Sequence, residues 1–438
     1  MANQTQAVER LYDLVANEED ARVCQDISED ACREVPRNFF LILGSLVLTK
    51  LGDLLISPKT VLAWLMGTVG APSGLVAWLV PIRESGSMVP QLAIGAWVRR
   101  HPRRGGFWVL GSALQGGSVA GMALAVWLLE GASAGYAIIA LLVLFSLSRG
   151  LCSVALKDVQ GKCVPKSRRG RLTGLASTAA GALTALLSAV LFLGQDPDKL
   201  FYSALLLAAA LIWLSAAAMF SRIEEEPGET GGGGNTLREA FDSLALLRDD
   251  APFRHFVITR ALLLTVALAP PFYVLVARQQ AAAGPAGLGI LIIANGLASS
   301  LSAPFWGRLG DRSSRTVMML AAGGAGLLGV FTFLAVQGQW SWATGRAGFA
   351  VIFFLLNVMH SGLRLGRKVY LVDMSSVDNR AAYVAVSNTV IGVLMLVGGA
   401  VGFVGDRVGA PFTVLLLGVG ALIAAGYARS LPEVSDEA

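Results

Sequence analysis

Long apolar stretches separated by short polar segments dominate this chain of 438 residues. A helix that crosses the hydrocarbon core of a bilayer needs about 20 apolar residues. Stretches of this length begin near Phe39, Gly74, Phe107, Ala134, Leu172, Lys199, Pro252, Gly284, Thr316, Trp342, Ala382 and Val408. The pattern predicts an all-α polytopic membrane protein with twelve transmembrane helices.

Polar sequence interrupts this pattern at the start and in the middle of the chain. Residues 1–37 form an acidic lead, in which Val8, Leu11, Tyr12 and Val15 recur at the spacing of a short amphipathic helix. After the sixth stretch come acidic residues from Glu224 and a run of glycines, which is typical of a flexible linker. We therefore predict a lead (1–37), a six-helix bundle (38–221), a central linker (222–250), a second six-helix bundle (251–430) and a tail (431–438).

Charge is scarce and unevenly placed. Only 15% of the residues are charged, against about 25% in an average globular protein. The net charge of +5 comes from loops on one side of the predicted membrane, so we expect no nucleic acid partner. Basic residues in short loops mark the cytoplasmic side. We predict a protein of the inner (cell) membrane with both termini in the cytoplasm.

Motifs for other chemistries do not stand out. The cysteines are Cys24, Cys32, Cys152 and Cys163; none form a C-x-x-C pair, and we expect reduced thiols and no metal site. There is no G-x-x-x-x-G-K-[ST] loop for ATP and no evident Ser–His–Asp constellation. We expect no cofactor and no enzymatic activity.

The two predicted bundles repeat each other. The loop after the second stretch begins at Gly95 and carries Arg99, Arg100 and Arg103; the loop after the eighth begins at Gly307. At the offset of 307 − 95 = 212, Arg100 meets Arg312, Arg103 meets Arg315 and Pro58 meets Pro270. Two repeats with a binding site at their interface are a transporter architecture.

The second loop, GRLGDRSSR at residues 307–315, resembles the loop signature of the major facilitator superfamily, G-x-L-a-D-r-x-x-r. This resemblance implies twelve helices and alternating access between two bundles. It also implies that Asp311, with Arg312 and Arg315, helps to latch the cytosolic side. In the first copy Arg99 stands in the place of the aspartate, so we expect an altered gate or the use of another acid such as Asp158.

Several ionisable residues lie deep in the predicted helices, where they are costly and mark functional or paired sites. The family resemblance implies that helices one, four, seven and ten line a central cavity. The candidates for solute binding or proton coupling are Lys50, Asp53, Arg83, Glu84, Arg149, Arg260 and Arg364. Lys50 and Asp53 share a helix face and could pair. The alternative is a set of salt bridges that only hold the fold.

These features predict a secondary active transporter that moves a small polar, anionic organic solute, with protons carried by Asp53 or Glu84. The excess of base over acid among the deep charges favours an anion. Two alternatives stay open: an exporter of amphipathic drugs or lipids, and a transporter-like receptor or assembly factor without transport. The expected partners are the solute, protons and the lipid bilayer, and a monomer suffices for this architecture.

Overall fold

A computed structural model describes residues 29–192, 199–228, 243–280, 285–375 and 380–434, together with Glu9, Tyr12 and Thr230. Apart from one 3-10 turn at Ser243–Ala245, the regular structure in this part is α-helical. The helices before the linker are α1 Glu29–Leu55, α2 Val61–Thr68, α3 Ser73–Val76, α4 Leu79–Met88, α5 Gln91–Val98, α6 Gly105–Leu128, α7 Gly131–Cys163, α8 Lys166–Phe192 and α9 Lys199–Phe220. We call these helices the first half.

The second half follows the linker. Its helices are α10 Leu246–Asp249, α11 Ala251–Leu262, α12 Leu264–Leu268, α13 Pro270–Gln280, α14 Pro285–Gly310, α15 Ser314–Gln337, α16 Ser341–Thr344, α17 Arg346–Asp373, α18 Arg380–Gly398, α19 Val401–Val408 and α20 Ala410–Arg429.

Ten segments in the described residues are long and apolar enough to cross a membrane. The stretches predicted from Gly74 and Leu172 are not among these ten. The first is divided into α3, α4 and α5, and one of its breaks falls at Val89–Pro90. Proline removes a backbone donor and clashes with the preceding turn, which explains that break. The second is the continuous 27-residue helix α8.

Proline also explains the breaks in the first and seventh predicted stretches. Helix α1 ends at Leu55 and α2 begins at Val61, with Pro58 between them. In the second half, α12 ends at Leu268 and α13 begins at Pro270. The helical path is therefore interrupted next to each of these prolines.

The outer surface of the helices is apolar. Leucine, valine and isoleucine side chains are exposed along its length, among them Leu124, Leu211, Leu301, Leu327, Val397 and Ile423. Such a surface suits contact with lipid tails, which place no demand for polar groups on it. The chain is a multi-pass membrane protein.

The successive helices define two ends of the molecule. We call the end with residues 99–104, 164–165, 221–228 and 311–313 the loop end, and the other the opposite end. At the opposite end the halves touch closely: Asp406 accepts hydrogen bonds from Ser73 Oγ at 2.7 Å and from the Gly74 N–H at 2.5 Å. A Cβ on Gly402 would come within 2.6 Å of the Ala77 side chain, so only glycine allows this approach.

Parts of the predicted organisation fall outside the described residues: most of the lead with its amphipathic helix, the linker glycines 231–234 and the tail residues 435–438. Tyr12 is described and buried, with its ring centroid 5.3 Å from that of Phe39. One cysteine prediction is wrong: Cys32 is disulfide-bonded, whereas Cys152 and Cys163 are free. Sequence spacing does not show which Cβ atoms come within reach of an S–S bond.

Candidate functional site

Asp53 is the centre of a charged network inside the first half. Its carboxylate on α1 accepts a hydrogen bond from Arg83 on α4 at 2.7 Å and another from Arg149 on α7. The Arg83 side chain is only 8% exposed and lies over the Phe145 ring, 5.0 Å from the centroid. The Arg149 side chain is 38% exposed. One partner of Asp53 is therefore enclosed and the other is accessible.

Lys50 does not complete this network. Its Nζ donates to Ser177 Oγ on α8 at 3.0 Å. In the described contacts it forms no ion pair with Asp53, because the aspartate side chain is held by arginines from two other helices. The i, i+3 pair anticipated from the sequence is thus replaced by contacts between helices.

Glu84 is half-buried on α4, next to Arg83. Within the described part of the chain its carboxylate is not in an ion pair. The charges nearest to it come from both halves: Lys59, Arg83 and Arg149 in the first and Arg367 in the second. Glu84 is therefore an acid surrounded by bases but bound directly to none of them.

The candidate residues of the second half lie on two helices. Arg260 on α11 is buried and donates to Ser387 and, at 3.3 Å, to Asn388 Oδ1 on α18. Its Nε has no described hydrogen-bond partner. Arg364 lies on α17 with its side chain exposed. Unlike the first-half arginines, neither of them is in an ion pair with an acid among the described residues.

Three residues outside the predicted set belong to the same region. Lys59, directly after Pro58, places its Nζ 2.6 Å from His360 Nε2 on α17. Arg367 lies one helical turn beyond Arg364. The spacing of His360, Arg364 and Arg367 at i, i+4 and i+7 was readable in the sequence as one helix face. The Lys59 contact was not, because 301 residues separate the partners.

The loop around Asp311 contacts the tail of the chain. Ser313 caps α15 by accepting from the Thr316 N–H at 3.0 Å, and it donates to Glu433 at 2.6 Å. Arg315 Nε lies 3.3 Å from the same Glu433 carboxylate. The Asp311 side chain is exposed and, among the described residues, makes no hydrogen bond. Gly307 accepts the Asp311 N–H at 2.9 Å, which closes the turn.

The loop of the first half is held more tightly. Glu225, after the last helix of that half, accepts from the N–H groups of Arg104 and Gly105 at 2.8 and 2.6 Å. It also pairs with Lys162 at 2.8 Å. Asp158 pairs with Arg104, and with Lys162 at 3.0 Å. The acid suggested as a substitute gate is thus engaged inside its own half in this conformation.

The remaining predicted loop residues lie at the surface or near it. Arg100 and Arg103 are exposed, Arg99 is half-buried, and Gly95 and Arg99 line a cleft with Asp158. Arg312 is exposed in the second loop. Among the described residues there is no group of three or more His, Cys, Asp or Glu side chains that could hold a metal ion.

In sequence, the chain matches no family model and no curated protein. In structure it is similar to solved transporters along most of its length. The inward-open xylose transporter XylE from E. coli is 13% identical, with a TM-score of 0.64, and the match covers 91% of this chain and 96% of that one. The nucleoside transporter NupG is 12% identical, with a TM-score of 0.67 over 89% of this chain and 99% of its own.

A third match is a POT family transporter in complex with 5-aminolevulinic acid, at 11% identity and a TM-score of 0.67, covering 89% of this chain and 94% of that one. These proteins are transporters, not enzymes, and the chain has the fold of a multi-pass membrane transporter. XylE is a proton:xylose symporter of the major facilitator superfamily. The fold is that of major facilitator transporters, as the loop at Gly307 predicted.

Proposed function

We propose that this protein is a secondary active transporter that moves a small anionic organic solute by alternating access, in exchange for or together with protons. The observation that supports the anionic solute is the charge balance at mid-depth. Lys50, Lys59, Arg83, Arg149, Arg364 and Arg367 face two acids, Asp53 and Glu84. Unpaired cations in a membrane interior are costly, so an anionic solute stabilises such a cavity.

We propose twelve spanning segments arranged as two six-helix repeats, with α3–α5 and α8 added to the ten apolar segments. A second likeness between the halves supports this repeat. Glu225 returns to the start of α6 and Glu433 to the start of α15, at offsets of 433 − 225 = 208 and 314 − 105 = 209. We further propose that the loop end faces the cytoplasm, because short basic loops gather there.

Coupling to protons follows from the two unequal partners of Asp53. An anionic group of the solute that reaches the accessible Arg149 competes with Asp53 for its guanidinium. Asp53 then keeps only Arg83, and its released Oδ2 can accept a proton. In this scheme Asp53 carries the proton, and Glu84, which has no direct cationic partner, is the second candidate.

The loops at Gly95 and Gly307 are proposed to close the loop end in the other conformation. Asp311, whose carboxylate makes no described contact here, would engage a helix N-terminus of the first half when the halves meet. Arg312 and Arg315, and Arg99, Arg100 and Arg103 in the first copy, would then lie at the closed interface.

Uptake into proteoliposomes with an imposed proton gradient tests the proposal. We expect pH-driven uptake of an anionic solute, its loss in Arg149→Ala, and loss of gradient dependence in Asp53→Asn or Glu84→Gln. Full gradient-driven transport in both acid variants would contradict the proton role. Thermal stabilisation only by lipophilic cations or lipids would replace this proposal with export of amphipathic compounds.

A further inference from the structure

Two basic side chains from different halves touch each other at mid-depth. Lys59 lies in the break between α1 and α2, and its Nζ is 2.6 Å from Nε2 of His360 on α17. At this distance the ammonium group donates and the imidazole nitrogen accepts. The imidazole proton must then be on Nδ1, and this buried nitrogen has no hydrogen-bond partner in the described part of the protein. A buried donor without an acceptor destabilises the empty fold, so this N–H is available to an acceptor on a ligand.

The same face of α17 carries two more cations. His360, Arg364 and Arg367 are spaced i, i+4 and i+7, so they lie along one side of the helix over about 10 Å. His360 contacts Lys59, which shows that this side faces the first half. The electrostatic neighbours of Lys59 include both arginines, as expected for one shared pocket.

Among the described residues of the second half, no acid forms an ion pair with Arg364 or Arg367. The described acidic residues from α11 to α20 are Asp311, in the loop between α14 and α15, Asp373, at the loop end of α17, and Asp406, at the opposite end of α19. Across the interface, Glu84 is the nearby carboxylate. Within the described residues, Lys59, Arg364 and Arg367 form no ion pair. Three cations and an N–H donor without a described acceptor therefore share one nearby carboxylate, with which none of them forms an ion pair.

We propose that Lys59, His360, Arg364 and Arg367 form a binding site for a compact dianionic group of the solute, of which a phosphate monoester is the best fit. The inference rests on the proposed transport function and specifies its substrate class. A phosphate monoester carries close to two negative charges at pH 7 and presents three acceptor oxygens. The two guanidinium groups can bind it in a bidentate manner, and His360 Nδ1 and the Lys59 ammonium supply further donors.

The site also gives the solute a mechanical role. Lys59 belongs to the first half, whereas the other three residues belong to the second. A single dianionic group bound to all four residues would link the two halves at mid-depth, next to the contact between Lys59 and His360. Solute binding would then favour the closed arrangement, because the dianionic group contacts more protein residues in the closed arrangement than in either open one.

The test compares probes that carry no charge, one negative charge or close to two. Glucose, gluconate and glucose 6-phosphate, with inorganic phosphate as the minimal probe, are titrated into the detergent-purified full chain at pH 7.5 and constant ionic strength. Binding is read from the increase in melting temperature and from isothermal calorimetry. We expect binding of glucose 6-phosphate and phosphate, and at least about tenfold weaker binding of gluconate, since each ion-assisted hydrogen bond contributes more than about 1.4 kcal/mol.

The variants Arg364→Gln, Arg367→Gln and His360→Gln are each expected to raise the dissociation constant for glucose 6-phosphate by about tenfold. Arg429→Gln, at the exposed last turn of α20, is the matched control and should bind as the wild type does. Because Arg364 is exposed, its variant is expected to fold even if His360→Gln does not. Unchanged affinity in Arg364→Gln and Arg367→Gln would overturn the site.

The other outcomes separate this inference from the proposed function. Gluconate binding as tightly as glucose 6-phosphate would overturn the dianion site and leave anion transport intact, whereas absence of binding by any anion would overturn both. A lipid headgroup offers the same phosphate chemistry, so short-chain phosphatidic acid is titrated as well. Binding of the lipid that glucose 6-phosphate cannot displace would overturn a soluble substrate for this site.

Discussion

The two halves of the molecule treat their deep cations in different ways. In the first half, Arg83 and Arg149 share the carboxylate of Asp53. In the second half, Arg260 is held by the neutral groups of Ser387 and Asn388, and among the described residues Arg364 and Arg367 on α17 form no ion pair. The two arginines of the first half thus have a counter-charge within the fold, whereas Arg364 and Arg367 of the second half are available to an added anion.

This difference separates two tasks that buried charges perform. A paired cation contributes to the fold, and removal of its acid leaves an uncompensated charge. A cation without an acid contributes little to the empty fold, but it is available to a ligand. Variants in the first half should therefore affect stability most, and variants on α17 should affect binding most.

Asp53→Asn should have the largest effect on stability. It leaves Arg83 enclosed without its counter-charge, and we expect the free energy of unfolding to fall by about 3 kcal/mol. The measurement is the melting temperature in detergent. The double variant Asp53→Asn with Arg83→Met removes the orphan charge and should recover part of the loss. A double variant no more stable than the single one would contradict the pairing role.

Glu225→Gln should have the second-largest effect on stability. Its comparison with Glu433→Gln tests the difference between the two halves at the loop end. Glu225 is 6% exposed and bonds to Lys162 and to two backbone N–H groups, whereas Glu433 is 23% exposed. We expect losses of about 2 kcal/mol for Glu225→Gln and about 1 kcal/mol for Glu433→Gln. Both are measured as melting temperatures at equal ionic strength. Equal losses would show that the two contacts are equivalent.

Arg260→Met should cost about 1 kcal/mol of unfolding free energy, because it leaves two polar acceptors unbonded but no unpaired charge. The direct comparison is with Asp53→Asn by the same melting measurement. If Arg260→Met costs as much as Asp53→Asn, Arg260 is paired in a way that the neutral contacts with Ser387 and Asn388 do not explain.

Asp406→Ala should have the smallest effect on stability, about 0.5 kcal/mol, since it removes an exposed helix cap. Its larger consequence is conformational, because Asp406 binds Ser73 and Gly74 across the halves. Spin labels on the exposed residues Ser133 and Trp342 should report a longer distance in a larger fraction of molecules. An unchanged distance distribution would show that the glycine contacts alone hold this end closed.

The sequence was sufficient for the helical membrane fold and for ten of the twelve predicted spanning segments, but not for the partners in the site. Helix positions follow from apolar length, and the breaks near Pro58 and Pro270 follow from proline chemistry. Partner choice depends on which helices meet, so the i, i+3 spacing of Lys50 and Asp53 suggested a pair that the arginines of α4 and α7 displace. The role of Lys59 could not be predicted for the same reason, because its partner His360 lies beyond the linker in the sequence.

In each half, residues that follow the last helix contact the start of an earlier helix, and these two contacts have a mechanical consequence. Glu225 fastens the chain after α9 to the start of α6, and Glu433 fastens the chain after α20 to the start of α15. Each contact thereby fixes the residues after the last helix of a half to the start of a helix in the middle of that half. In the proposed alternating access, motion would then occur at the interface between the halves, and the free energy of solute binding would act on that interface.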